Sequence, residues 1–230
     1  MKKFLIKYFP ILGKYKRFLT AVFHSVITKP TYSQHGEDVF LLDYLRKKNL
    51  VINDYMYIDV GANHPTDISN TFLLYKNGMN GIIVEPNLEL VNLFKVFRKK
   101  DSLFAIGVGN LVSMMKFYVS KTPVISSFVN DWRDSDVHTS YFVPIMTLDD
   151  ALSNSLLKPI FLLSIDVEGL NTEVLEGARE TISKSILVCV EWDDIVQKNT
   201  FNTILGANFK PLIDFGCNTI FENTGLMRNS

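Results

Sequence analysis

At 230 residues and 47% hydrophobic content, the chain is long enough for one α/β domain with a full core and too short to require two. Its formal net charge of zero is unevenly spread: residues 1–36 carry seven Lys/Arg and no acid, leaving 17 basic against 24 acidic residues in the remainder. An acidic body lacks the clustered cations that neutralise phosphates, so no nucleic-acid partner is expected. The two cysteines, Cys189 and Cys217, lie in apolar segments without metal-ligand spacing, which fits buried thiols in a reducing, cytoplasmic setting and predicts no metal.

In chain order, residues 1–31 come first. Phe4, Tyr8, Leu12, Tyr15, Leu19, Phe23 and Val26 recur every three or four positions with Lys and Arg between them, the pattern of a basic amphipathic helix bent at Pro10. The longest uncharged run, Phe18 to Thr28, is too short to span a bilayer and lacks a small-residue cleavage site. Such a helix packs on its own domain, packs on a sister subunit of a homodimer, or makes a peripheral contact with the inner face of a membrane.

From residue 32 to 230 strands and helices alternate, which predicts a mostly parallel sheet with crossover helices. The predicted strands are 56–60, 81–85, 103–108, 161–166 and 186–191, with helices at 36–48, 69–77, 87–98, 147–156 and 171–183. Residues 209–213 and 218–222 predict a closing antiparallel pair. Two short strands, 114–119 and 141–146, flank a polar segment, and residues 120–140 read as a lid insertion or an ordinary surface hairpin.

Three strand ends carry the candidate chemistry. In YIDVGANHP (57–65) an apolar strand ends in Asp59, and Gly61 makes a turn that lets backbone approach a ligand, with Asn63 and His64 lining it. No GxGxxG or other Gly-rich phosphate loop follows, which favours a nucleoside without a pyrophosphate. In GIIVEPN (81–87) Glu85 closes the next strand, where a carboxylate can accept from ribose hydroxyls; starting the helix at Asn87 is its structural alternative. In FLLSIDVEG (161–169) Asp166 and Glu168 stand two apart, on one face if the strand continues, although Glu168 could instead cap the helix near Asn171.

Together these segments resemble the FkbM family of S-adenosylmethionine-dependent methyltransferases, through YSQHGEDVFLLDYL (32–45), YIDVGANHP (57–65), SNTFLLYKNGMNGIIVEPN (69–87), MTLDDAL (146–152) and SIDVEGLNTEVLEGA (164–178). The resemblance implies a Rossmann-like methyltransferase fold, S-adenosylmethionine as cofactor, and methyl transfer to a hydroxyl of a sugar, glycan or glycolipid. By position it implies cofactor roles for Asp59, Gly61, Asn63, His64 and Glu85, and catalytic roles for Asp166 and Glu168. His35, in the YSQHGED element, is an alternative base because its unperturbed pKa suits proton transfer, and Ser33, Gln34 and Glu37 would border the site. His64-Pro65 departs from the family pattern, which leaves His64 the weakest match. A nucleotide-dependent oxidoreductase and a catalytically silent Rossmann-like module are the competing readings.

Overall fold

The computed structural model describes residues 15–120, 126–128 and 137–227. Its centre is a seven-stranded sheet built from β1 (Met56–Val60), β2 (Ile82–Val84), β3 (Ser102–Phe104), β7 (Ile160–Ile165), β8 (Ser185–Glu191), β9 (Phe209–Phe215) and β10 (Asn218–Asn223), in the order β3-β2-β1-β7-β8-β10-β9. The first five of these run parallel, whereas β10 pairs antiparallel with both β8 and β9. This is a Rossmann-like methyltransferase fold with an antiparallel strand pair at its C-terminal edge. Chain order reverses between β1 and β7, so the loops leaving their carboxyl ends diverge and open a crevice.

The central strands are apolar on both faces because helices cover both. All of β1 and β7 is buried, as expected of a parallel sheet sandwiched between helices. On one face Tyr57, Ile83, Leu162 and Leu187 meet α2 (Glu37–Lys47), α3 (Phe72–Lys76) and α4 (Leu88–Phe97) through Leu41, Leu74 and Phe94. On the other, Ile58, Val84, Leu163 and Val188 meet α5 (Leu148–Leu152), α6 (Asn171–Glu176), α7 (Arg179–Ser183) and α8 (Ile195–Leu205) through Leu148, Val174, Ile182 and Phe201.

Two expectations are corrected. The segment predicted as one strand over 103–108 divides into β3 and β4 (Gly107–Val108), because the chain leaves the main sheet and joins β6 (Val137–Met146) and β5 (Ser113–Ser120) in a small sheet of order β4-β6-β5. The helix predicted over 171–183 is two helices, α6 and α7, parted at Gly177 and Ala178. Helix α8 is an addition; Asp194 caps it by accepting from the Gln197 N–H, a signal present in the sequence. Of the lid segment 120–140, residues 121–125 and 129–136 lie outside the described residues.

Residues 15–26 form helix α1, which packs on its own domain. Ala21 and His24 are buried, His24 Nδ1 bonds the Thr66 carbonyl at 2.8 Å, and the Phe18 ring meets Phe97 edge-on at 5.6 Å.

Candidate active site

The ends of β1, β2, β7 and β8 converge on one open cleft, the usual place for a ligand in an α/β sheet of this kind. Asp59, Gly61, Asn63, Glu85, Asp166 and Glu168 all line it, so three separate sequence motifs meet at one place. His64 and His35 are not among the lining residues.

Gly61 closes β1 with a φ of 75°, in the left-handed region that favours glycine. A Cβ added there would stand 1.8 Å from the Asp166 carbonyl oxygen, so the β1 and β7 ends can approach each other only around a residue without a side chain. Gly61→Ala is therefore expected to destabilise the fold by on the order of 2 kcal/mol and to displace Asp166. Thermal unfolding together with cofactor calorimetry checks this; an unchanged melting temperature would show that the turn relaxes freely.

Glu85 is buried at the end of β2. One carboxylate oxygen accepts the Asn63 N–H at 2.8 Å and the other the Asn87 N–H at 2.7 Å. These bonds fix the carboxylate plane and leave a lone pair on each oxygen for a further donor. Burial pushes its pKa up to about 7, against the two backbone bonds. Helix α4 is capped by Asn87, which accepts from the Glu89 N–H. Beside Glu85, Leu90, Ile106, Val108, Phe117 and Phe128 give the cleft an apolar wall that suits a flat heteroaromatic ring. Tyr141 braces this side by donating to the Pro86 carbonyl and accepting from the Leu88 N–H.

Asp59 has a supporting position. It accepts from the Thr71 hydroxyl; that hydroxyl in turn accepts from Arg98 at 3.0 Å. Arg98 is fully buried and also donates to Asp101, the Tyr57 hydroxyl and the Pro65 carbonyl. Burial raises the Asp59 pKa, opposed by Thr71 and by the Arg98 charge. Strand end and the loop over 61–71 are thus pinned from behind by one guanidinium. Because α3 begins only at Phe72, no helix N-terminus abuts Gly61 to receive a pyrophosphate.

Across the cleft, β7 ends at Ile165 instead of continuing to Glu168. Asp166 and Glu168 therefore do not share a strand face; a turn brings both to the cleft. Glu168 adopts a left-handed φ of 52°, and its carbonyl accepts from Ser127 at 2.9 Å. Nor does Glu168 cap α6, whose N-cap is Leu170 without a side-chain bond. Asn171, buried, holds this turn by accepting from the Val167 N–H and donating to the Glu191 carbonyl.

Glu191, at the end of β8, also lines the cleft and is a site residue that the sequence reading missed. It stands beside Asp166, one residue beyond the Ile165–Val190 pair of β7 and β8. Burial first, then the charge of Glu191, lift the Asp166 pKa well above its ordinary value. Glu191 additionally accepts from the Cys217 thiol at 3.4 Å.

Both histidines have other positions. His64 bonds the Arg17 carbonyl through Nε2 at 3.1 Å and accepts the Thr66 N–H through Nδ1, so its ring ties α1 to the loop and does not face the cleft. Burial lowers its pKa, consistent with the neutral ring that accepting at Nδ1 demands. His64, expected at the cofactor turn, thus lies outside the cleft lining. His35, expected as an alternative base, is exposed and packs against Gly216, outside the cleft lining. From the same element, Gln34 does line the cleft, Ser33 Oγ accepts from the N–H groups of Gly36 and Asp38 at the start of α2, and Glu37 is buried against Asn218.

No curated protein matches the chain. Among solved structures, a methyltransferase FkbM from Methylobacillus flagellatus is similar with a TM-score of 0.49 and 12% identity, over 92% of this chain and 59% of that one. The chain thus spans less than two thirds of that protein. A putative RNA methyltransferase from Pyrococcus horikoshii is similar with a TM-score of 0.44 and 12% identity, over 91% of this chain and 98% of that one. Residues 59–215, more than half of the chain and including the cleft motifs of β1, β2, β7 and β8, match the family model described as the methyltransferase FkbM domain, and the chain belongs to that family.

Proposed function

We propose that the chain is an S-adenosylmethionine-dependent O-methyltransferase acting on a hydroxyl of a sugar, glycan or glycolipid. The observation that carries this reading is the meeting of two carboxylate sites in one cleft: Glu85, oriented by two backbone N–H groups, and the adjacent Asp166 and Glu191 at the ends of β7 and β8. The residues fit the cofactor. Glu85 offers a lone pair on each oxygen to the ribose hydroxyls, the apolar wall from Leu90 to Phe128 suits the adenine ring, and Gly61 keeps the floor free of side chains.

When bound, the cofactor supplies a methyl group already activated on a sulfonium, so the sulfur–carbon bond breaks as the acceptor oxygen forms its own. The protein must hold that oxygen in line and take its proton. Asp166, with Glu191 beside it, is placed to accept the hydroxyl proton at or after attack. Glu168, in its left-handed turn, borders the acceptor side. Incubation with labelled cofactor and extracts of glycans and glycolipids, followed by mass spectrometry, tests the reading; failure to bind S-adenosylmethionine or its demethylated product would remove it.

The elevated Glu85 pKa makes a pH prediction. Ribose hydroxyls donate to the ionised carboxylate, whereas the free protein holds a proton there below about pH 7. Binding must then release a proton, so affinity for S-adenosylhomocysteine rises between about pH 5.5 and 7.5 and levels off above. Calorimetry in buffers of different ionisation heat measures the proton. In Glu85→Ala the release disappears and affinity falls by about 1–3 kcal/mol; unchanged affinity takes Glu85 out of the cofactor site.

A further inference from the structure

Helix α1 turns only one side to the domain. Arg17, Thr20, Ala21 and His24 face inward, with Ala21 and His24 buried. Its outer side carries Tyr15 at 62% exposure, Leu19 at 47%, Val22 at 37%, Phe23 at 52% and Val26 at 77%. These positions fall at i, i+4, i+7, i+8 and i+11, which places them on one stripe of the helix. A folded domain seldom leaves so long a contiguous row of large apolar side chains in water.

Charge selects the occupant. Residues 1–36 hold seven Lys/Arg and no acid. The carboxylates beside the inner face of α1 are engaged by cations of this same segment: Asp67 lies 4.0 Å from Lys29, and Glu89 lies 3.7 Å from Arg17. The segment that carries the stripe is thus basic and free of acids in sequence. A second copy docked stripe to stripe would bring two such cationic segments together, which like-charge repulsion disfavours. Among the described residues no helix is long and apolar enough to cross a membrane.

We propose that α1 docks lengthwise on an anionic lipid bilayer, Tyr15, Leu19, Val22, Phe23 and Val26 entering the boundary between headgroups and acyl chains, the bilayer's negative charge complementing the acid-free, basic sequence of residues 1–36. This docking is independent of the methyl-transfer reading. The inner face of α1 meanwhile holds the loop behind the cofactor side of the cleft, through His64 and His24.

Co-sedimentation of the full chain with phosphatidylcholine vesicles, with and without phosphatidylglycerol, tests the proposal. Binding to the anionic vesicles is expected to exceed binding to the neutral ones at least about tenfold and to weaken as salt rises. Leu19→Asp combined with Phe23→Asp, with circular dichroism checking the fold, should abolish it. Lys3→Glu with Lys7→Glu tests the electrostatic half without touching the stripe, and so decides the matter if the first variant misfolds. Equal binding to both vesicle types, or no vesicle binding, overturns the proposal. So does a solution dimer that Leu19→Asp with Phe23→Asp dissociates, since the stripe would then be covered by a second copy.

Discussion

Asp166→Asn is expected to reduce turnover by about 10²–10⁴-fold while leaving cofactor affinity nearly intact, because the amide cannot accept the acceptor's proton yet keeps the shape of the turn. Glu191→Gln should act in the same direction, since it removes the neighbouring carboxylate charge that helps raise the Asp166 pKa. Combining the two should cost little more than either alone, as for groups that act as a unit. Single-turnover methyl transfer and calorimetry separate the two quantities. Full activity in Asp166→Asn would assign proton removal to another group.

The largest expected loss of stability is at Arg98. Its guanidinium is fully buried and bonded to Asp101 at 2.7 Å, to the Tyr57 hydroxyl at 2.7 Å and to Thr71 at 3.0 Å. Burial opposes its charge, but Tyr57, Asp101 and Asp59 together hold its pKa above the ordinary value. Arg98→Met keeps the volume and strands the Asp101 and Asp59 carboxylates without their cation. Breaking one side of a buried ion pair in this way is expected to destabilise by about 3–5 kcal/mol. Urea unfolding at unchanged slope measures it; a change under about 1 kcal/mol would mean that the carboxylates are neutral in the fold and need no cation.

The parallel core was legible because its strands are continuous apolar runs ending in a carboxylate or a glycine turn. Met56–Val60 is the same strand in sequence and structure, and the closing pair at 209–223 lies where its polar turn places it. Local pattern was less informative where tertiary contacts decide. Arg98 stands in a run, FRKK, that looks like a solvated helix end. Its burial depends on Tyr57 and Pro65 far away in the chain. Glu191 ends a strand that was recognised, but its significance comes from Asp166 lying beside it, a proximity set by the neighbouring registers of β7 and β8. For His64 the motif was visible and the direction of its ring was not, since that depends on Arg17 in α1. The division of 103–108 follows from a second sheet whose partners come from residues 113–120 and 137–146.

The position of β10 has a practical consequence. The stretch that recurs in the family ends at residue 215, with the last residue of β9, yet β9 reaches the sheet only through β10. At its other end that stretch omits α2, whose Glu37 accepts a hydrogen bond from Asn218 in β10 at 2.9 Å. An expression fragment trimmed to residues 59–215 would thus leave β9 without its neighbour, uncover the edge of β8, and strip the helix from one face of the sheet. Truncations of this protein should therefore retain α2 and β10 at the least.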